Sequence, residues 1–188
     1  KIWVNNSMLK LKCPICNENG YLYKKLKQLD LYFCKSCKHR YTNESSIKKP
    51  ETYSEDYYKK KHENWFNNPN YILFEKIYKI IKSTGLEYPD IIDVGCGNGD
   101  LLRFLAKKNK TLKLTGVDYY KNKSNENITF LSGDIFNIKF DKKYDFVINF
   151  AIIEHVGNIQ RYINYLINLC KNDGVIITMT INDDSILY

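Results

Sequence analysis

The stretch IIDVGCGNGD, residues 91–100, sets an acid, Asp93, ahead of three alternating glycines, Gly95, Gly97 and Gly99. Glycines spaced this way after a short apolar run let the backbone turn sharply and come close to a ligand. A dinucleotide loop needs G-x-G-x-x-G, with the third glycine packed beside the pyrophosphate. Here that position is Asp100, whose carboxylate would repel phosphate. No Gly-Lys-Ser/Thr follows, so a Walker-type phosphate loop is excluded as well. The acid and the glycines suit a ligand with a cationic amino-acid part and no phosphate.

A second constellation lies near the N-terminus. Cys13 and Cys16, then Cys34 and Cys37, form two Cys-x2-Cys pairs with seventeen residues between them. Two thiolates of one tight turn can face the same ion, and two such turns complete a four-sulfur Zn²⁺ shell. A shell closed by four thiolates has no open position for water or substrate, so the metal is expected to be structural. His39 is a possible substitute ligand, but Cys37 already holds the required spacing. The remaining cysteines, Cys96 and Cys170, stand alone, and the pattern is not a disulfide framework.

The elements that must position these groups follow from periodicity. Residues 21–23 and 29–33 predict a short hairpin between the cysteine turns, giving a zinc ribbon over residues 8–42. Residues 43–69 are polar and aromatic; they read as a linker with a first helix, or, through Tyr53, Tyr57, Tyr58 and Trp65, as a lid. After Asn-Pro-Asn at 68–70, Ile72, Leu73, Ile77, Ile80 and Ile81 make a helical stripe that ends at Gly85. Strands are predicted at 91–94, 112–118, 128–131, 144–150 and 175–180, with helices at 101–108 and 159–170. The link at 119–127 is too short and polar for a full helix. This alternation predicts an α/β fold, a Rossmann-like, mostly parallel sheet covered on both faces, over residues 70–188. Ligands of such sheets bind at the carboxyl ends of the strands.

From about residue 72 onward the chain resembles the class I S-adenosylmethionine-dependent methyltransferases, whose first motif has the form Asp93-x-Gly95-x-Gly97-x-Gly99. The resemblance implies S-adenosylmethionine as cofactor. Asp93 would orient its methionine end, and Gly95, Cys96 and Gly97 would let the chain approach it. Asp118, with Tyr119 beside it, would accept bonds from the ribose hydroxyls. Asp134 would receive the adenine amino group, with Ile135 against the ring. Asn149 and Phe150 would line the sulfonium and its methyl. AIIEHVGN, residues 151–158, resembles a signature of small-molecule members, with Glu154 and His155 on a turn below the methyl group. His155 would serve as a general base, or would only brace the pocket by hydrogen bonding. The family pattern continues past the fifth strand with a helix and a terminal antiparallel pair. INDDSILY reads as the start of that helix, so the core is expected to be incomplete at the C-terminus.

Composition narrows the partners. The chain has 29 Lys and Arg against 21 Asp and Glu, a formal charge of +8. Only Arg40, Arg103 and Arg161 are arginine, the residue best suited to forked phosphate and base contacts. The lysine excess reads as scattered composition bias. A zinc ribbon ahead of such a core resembles enzymes of bacterial surface-polysaccharide and sugar-tailoring clusters, which implies a small-molecule or sugar-derived acceptor. It also resembles a zinc-bearing group of ribosomal RNA methyltransferases, disfavoured here by the scarce arginine. A third reading is a cofactor-binding protein without turnover. With no apolar run near the ~20 residues of a membrane span, the protein is expected to be cytoplasmic.

Overall fold

A computed structural model describes residues 10–27, 30–42 and 67–180. The chain divides into two compact units, residues 1–50 with 156–162, and residues 51–155 with 163–188.

In the first unit, four short strands form an antiparallel sheet in sequence order: β1 (Leu11–Lys12), β2 (Asn19–Lys25), β3 (Asp30–Cys34) and β4 (Arg40–Thr42). The expected hairpin is β2 with β3, and β1 and β4 widen it on either side. Alternation along the strands turns Leu22, Tyr32, Cys34 and Tyr41 to one face, where they pack with Leu11, Cys13 and Cys16. The Tyr41 hydroxyl donates to the Leu11 carbonyl at 2.6 Å. Gly20 makes this possible, since a Cβ there would collide with the Tyr41 hydroxyl.

The second unit is built on five parallel strands: β5 (Asp90–Val94), β6 (Lys113–Asp118), β7 (Ile128–Ser132), β8 (Tyr144–Phe150) and β9 (Cys170–Met179). Their order is β7-β6-β5-β8-β9, and every pair is parallel. Ile91, Ile92, Phe146, Val147 and Ile148 are fully buried, as strands covered on both faces require. Helix α1 (Tyr71–Ser83) starts at Asn70, whose side chain accepts the Leu73 N–H at 3.0 Å. Helix α2 (Asp100–Lys108) follows the glycine turn. Phe74, Ile77 and Ile81 of α1 and Leu101, Leu102 and Leu105 of α2 form one apolar cluster with Ile91, Leu114, Ile128, Phe146 and Ile148. The carboxyl ends of β5 and β6 are thereby held at fixed register.

Between β7 and β8 only the 3₁₀ turn Ile135–Asn137 forms, and two further connections depart from ordinary helical crossovers. Between β6 and β7 no helix forms. Asn125 accepts the N–H groups of Asn127 and Ile128, and the Ser124 hydroxyl accepts the Phe130 N–H, so polar side chains satisfy the backbone instead. Helix α3 (Ile159–Leu169) runs directly into β9, which starts at Cys170 rather than Val175. Tyr144 pairs with Cys170 and Phe146 with Val175, so residues 171–174 bulge out of the ladder. Gly174 permits that bulge: a Cβ there would lie 2.7 Å from the Cys170 sulfur and 3.0 Å from the Asp145 carbonyl oxygen.

Residues 43–66, which hold most of the expected linker or lid, and 181–188, the expected start of a further helix, lie outside the described residues.

Candidate cofactor site and metal centre

Three acids gather at the carboxyl ends of adjacent strands. Asp93 is the penultimate residue of β5, Asp118 ends β6, and Asp134 follows β7 by two residues. Gly95, Gly97 and Gly99 all have left-handed backbone, with φ of 75°, 53° and 82°, which only glycine adopts freely. Gly95 is also crowded, because a Cβ there would collide with the Ile152 side chain.

Five N–H groups of this loop, those of Gly95, Cys96, Gly97, Gly99 and Asp100, are already bonded within the protein. The Val117 carbonyl accepts the N–H of Gly95 at 2.7 Å and of Cys96 at 3.1 Å. Asp118 Oδ2 accepts the Gly97 N–H at 2.8 Å. The Gly99 N–H goes to the Cys96 carbonyl, and the Asp100 N–H to Asn98 Oδ1. A phosphate-binding loop works by aiming free N–H groups at the anion, and this loop turns these five inward. The loop and its acids offer acceptors, which fits a cationic and hydroxyl-rich ligand and does not fit a pyrophosphate.

The electrostatics point the same way. Asp93 is buried beside Asp118, and burial first, then the Asp118 charge, pushes its carboxyl up to about 7. An ionised carboxylate held there without a cation is costly, so the site favours a positively charged ligand group. Asp118 has one N–H on each oxygen, Gly97 on Oδ2 and Tyr120 on Oδ1 at 2.8 Å. A carboxylate oxygen can accept more than one bond, so these two contacts are compatible with ligand hydroxyls. Asp134 accepts the Phe136 N–H through Oδ1 at 3.0 Å, opening the short 3₁₀ turn Ile135–Asn137.

The other expected residues fall as follows. Cys96 is partly buried, with its sulfur over Gly116 of β6, where a Cβ would lie 2.8 Å from it. Burial and the charges of Asp93 and Asp118 push its thiol far up, so it is a neutral packing group. Tyr119 is exposed, Ile135 half-buried, and Phe150 half-buried against the main cluster. Asn149 is fully buried. Its amide donates to Thr178 Oγ1 at 3.0 Å on β9, and its Oδ1 has no partner among the described residues. Its register neighbour is Val94, so its side chain lies on the opposite face from Asp93, where its amide joins β8 to β9. Glu154 and His155 are exposed on a 3₁₀ turn, Ile153–His155, and the Thr180 hydroxyl donates to Glu154 Oε2 at 3.0 Å.

Sequence reasoning missed the props of the loop. Asn122 Nδ2 donates to the Gly97 carbonyl at 2.7 Å, and the Arg103 guanidinium bonds the Asn98 carbonyl and stacks over Phe130. Phe130 in turn occupies the space a Cβ on Gly99 would need. Ala151, with φ of 53°, makes the left-handed step that precedes Ile152. Only Arg103, four residues past Gly99 on the helix, carried a signal that spacing could have used.

In the first unit the four cysteine sulfurs lie within 4.8 Å of one another. Cys13 and Cys37 are 3.5 Å apart, and Cys16 and Cys34 are 3.4 Å apart. A tetrahedral zinc with bonds of ~2.3 Å needs sulfur–sulfur edges of ~3.8 Å, so small adjustments would seat the ion. Both turns use one design. Asn17 and Lys38, each following a second cysteine, are left-handed (φ 59° and 64°), and their N–H groups donate back to the carbonyls of Cys13 and Cys34. The N–H of Cys37 leads in drawing the Cys34 thiol down to about 7. The His39 N–H also draws on Cys37, but burial and the neighbouring thiols push that group up to about 12. Four sulfurs this close cannot all ionise without a cation between them.

A five-stranded parallel sheet with an acid-and-glycine loop at its carboxyl edge defines the class I S-adenosylmethionine-dependent methyltransferase domain. Residues 53–187 match the family model described as a methyltransferase domain, and the chain belongs to that family. It is 33% identical over 156 residues to the ubiquinone biosynthesis O-methyltransferase of Rickettsia typhi, covering 74% of this chain and 61% of that protein. It is 30% identical over 126 residues to the malonyl-[acyl-carrier protein] O-methyltransferase of Acetivibrio thermocellus, covering 58% of this chain and 44% of that one. The chain thus spans about three fifths or less of these relatives' lengths. The plantazolicin methyltransferase BpumL, in complex with a pentazolic desmethylPZN analog and SAH, has the same fold. Its TM-score is 0.62 at 24% identity, over 71% of this chain and 56% of that chain. Among the described residues no helix is long and apolar enough to cross a membrane.

Proposed function

We propose that this chain binds S-adenosylmethionine at the carboxyl ends of β5, β6 and β7 and directs its methyl group to a small-molecule acceptor, with a hydroxyl as the favoured nucleophile. The observation that carries this reading is the inward bonding of five loop N–H groups beside three acids at adjacent strand ends. The names of these two relatives, both O-methyltransferases, support the hydroxyl. A sugar-derived acceptor of surface polysaccharide is one member of this class, and neither of those names points to it.

When bound, the cofactor supplies an electrophilic methyl on a positively charged sulfonium. With the cofactor bound, Asp93 would attract its cationic methionine end, Asp118 would accept its ribose hydroxyls, and Asp134 would meet its adenine amino group. Gly95, Cys96 and Gly97 form the floor, and Tyr119, Ile135 and Phe150 supply apolar walls. Asn149 supports Phe150 from behind through β9. His155 accepts the proton of an attacking hydroxyl, and Glu154, held by Thr180, fixes the turn that carries it. Alignment supplies much of the rate, because the leaving group is a neutral thioether. The four-cysteine cluster holds a structural Zn²⁺, which reduced thiols permit in the cytoplasm, where we place the protein.

The test is transfer of radiolabelled methyl from S-adenosylmethionine into a cell extract separated into small molecules, RNA and protein. Label in the small-molecule fraction supports the reading. Label confined to RNA would favour the ribosomal-type alternative, and no transfer despite cofactor binding would favour a non-catalytic role.

A further inference from the structure

The chain's positive charge is not scattered, as the lysine count alone suggested. Residues 10–42 hold eight Lys and Arg against two acids, Glu18 and Asp30, so this short segment carries +6 of the chain's formal +8. Four thiolates around one divalent ion would subtract roughly two charges and leave the ribbon distinctly basic.

That charge accompanies a row of aromatic rings. The cysteine-bearing face of the ribbon has its own core in Tyr32, Tyr41 and the cysteines. Alternation sends Tyr21, Tyr23, Phe33 and Arg40 to the other face, where Tyr21 pairs with Phe33 and Phe33 with Arg40 across three strands. The rings of Tyr23 and Phe33 are 6.1 Å apart. The Lys35 ammonium lies 4.9 Å from the Tyr21 ring centre and the Arg40 guanidinium 5.2 Å from that of Tyr23. Tyr23 is 56% exposed, though the ribbon's core does not need it elsewhere.

Cations alone would suit any polyanion, and rings alone would suit an apolar peptide. Rings interleaved with cations on one sheet face match a strand that presents bases for stacking and phosphates for pairing. A duplex hides its base faces and would use only the cations. We propose that the face formed by Tyr21, Tyr23, Phe33, Lys35 and Arg40 docks single-stranded nucleic acid. This goes beyond methyl transfer and does not require the bound strand to be the acceptor.

The test is fluorescence anisotropy of a labelled dodecamer of uridine with the zinc-loaded full chain, at salt from about 50 to 200 mM. Binding should weaken with salt at a log–log slope of about −1.4 or steeper, the value for two neutralised phosphates on a single strand. Tyr23→Ala keeps the net charge and should weaken binding about five-fold or more, the loss of one stacking partner, whereas Tyr23→Phe keeps the ring and should bind like the parent. Zinc content equal to the parent's would confirm that both variants fold. Absence of binding at low salt would overturn the proposal. So would Tyr23→Ala binding like the parent, or polyglutamate competing as well as the oligonucleotide, results that would assign the face to acidic proteins or to charge alone.

Discussion

Asp118 reaches across from the end of β6 to accept the Gly97 N–H at 2.8 Å, so the acid read as a ribose ligand also fixes the shape of the loop that follows β5. One side chain couples cofactor recognition to loop geometry. Asp118→Asn would set an amide N–H against one of the two backbone donors, Gly97 or Tyr120, and leave that donor unpaired. The expected cost is about 1–3 kcal/mol in folding stability and at least ten-fold in S-adenosylhomocysteine affinity, read by denaturant melts and calorimetry. Unchanged affinity with lowered stability would confine Asp118 to the loop.

Asp93 gives the site a pH dependence with two signs. In the ligand-free protein its carboxyl sits at about 7, above the ordinary 3.8, because burial and then Asp118 disfavour its charge. The folded chain therefore holds that proton more tightly than the unfolded one. This contribution is fully present below the ordinary value and is lost as pH rises through about 7. Binding a cationic ligand needs the ionised form and should tighten over the same interval, by several-fold between about pH 6 and 8. Asp93→Asn should bind weakly with a flatter profile, measured by calorimetry at both pH values.

Gly95→Ala places a side chain on a left-handed residue (φ 75°) and against Ile152. Strain and crowding together should cost about 2–4 kcal/mol. Adding Ile152→Ala should recover only the crowding part. Thermal melts of the single and double variants would separate the two.

The strands and the acids were legible because parallel, buried strands read as apolar runs and their ends as the first polar residue. Asp118 follows that rule directly, and Asp93 stands one residue short of the end of β5. The β1 and β4 flanks of the ribbon were not legible, being two and three residues long and specified by pairing with β2 and β3. Nor was the role of Asn122, which lies in a polar connector and meets Gly97 only once the crossover has folded. Asn149 shows what register adds. Position near a strand end suggested the ligand, and only the register with Val94 shows that its amide shares a face with Val94, away from Asp93.

The amino ends of the central strands are held by charge. Asp145 accepts the Asp90 N–H at 2.7 Å and two bonds from the Lys171 ammonium at 2.9 Å. Burial works to raise its carboxyl, but Lys171 and the Asp90 N–H outweigh it and hold it below the usual value. The resulting stabilisation is present above the ordinary carboxylate range and is lost as pH falls through the lowered value. Because Lys171 is 37% exposed, Lys171→Met should cost only about 0.5–1 kcal/mol near neutral pH, and the difference from the parent should vanish in acid melts.

Metal analysis of the purified chain should find about one zinc per chain, as a four-thiolate site binds a single ion. Cys13→Ser or Cys34→Ser should abolish it and unfold the ribbon, because metal binding supplies its folding free energy. Amide exchange within β2 and β3 is the readout; full protection in both variants without metal would contradict the assignment.

The most direct measurement is a pair of calorimetric titrations, one with S-adenosylhomocysteine and one with NAD. Saturable binding of S-adenosylhomocysteine with no heat from NAD is the predicted result, since Asp93, Asp118 and Asp134 stand at adjacent strand ends beside a loop that bonds five of its N–H groups internally. Tight NAD binding without S-adenosylhomocysteine binding would contradict it.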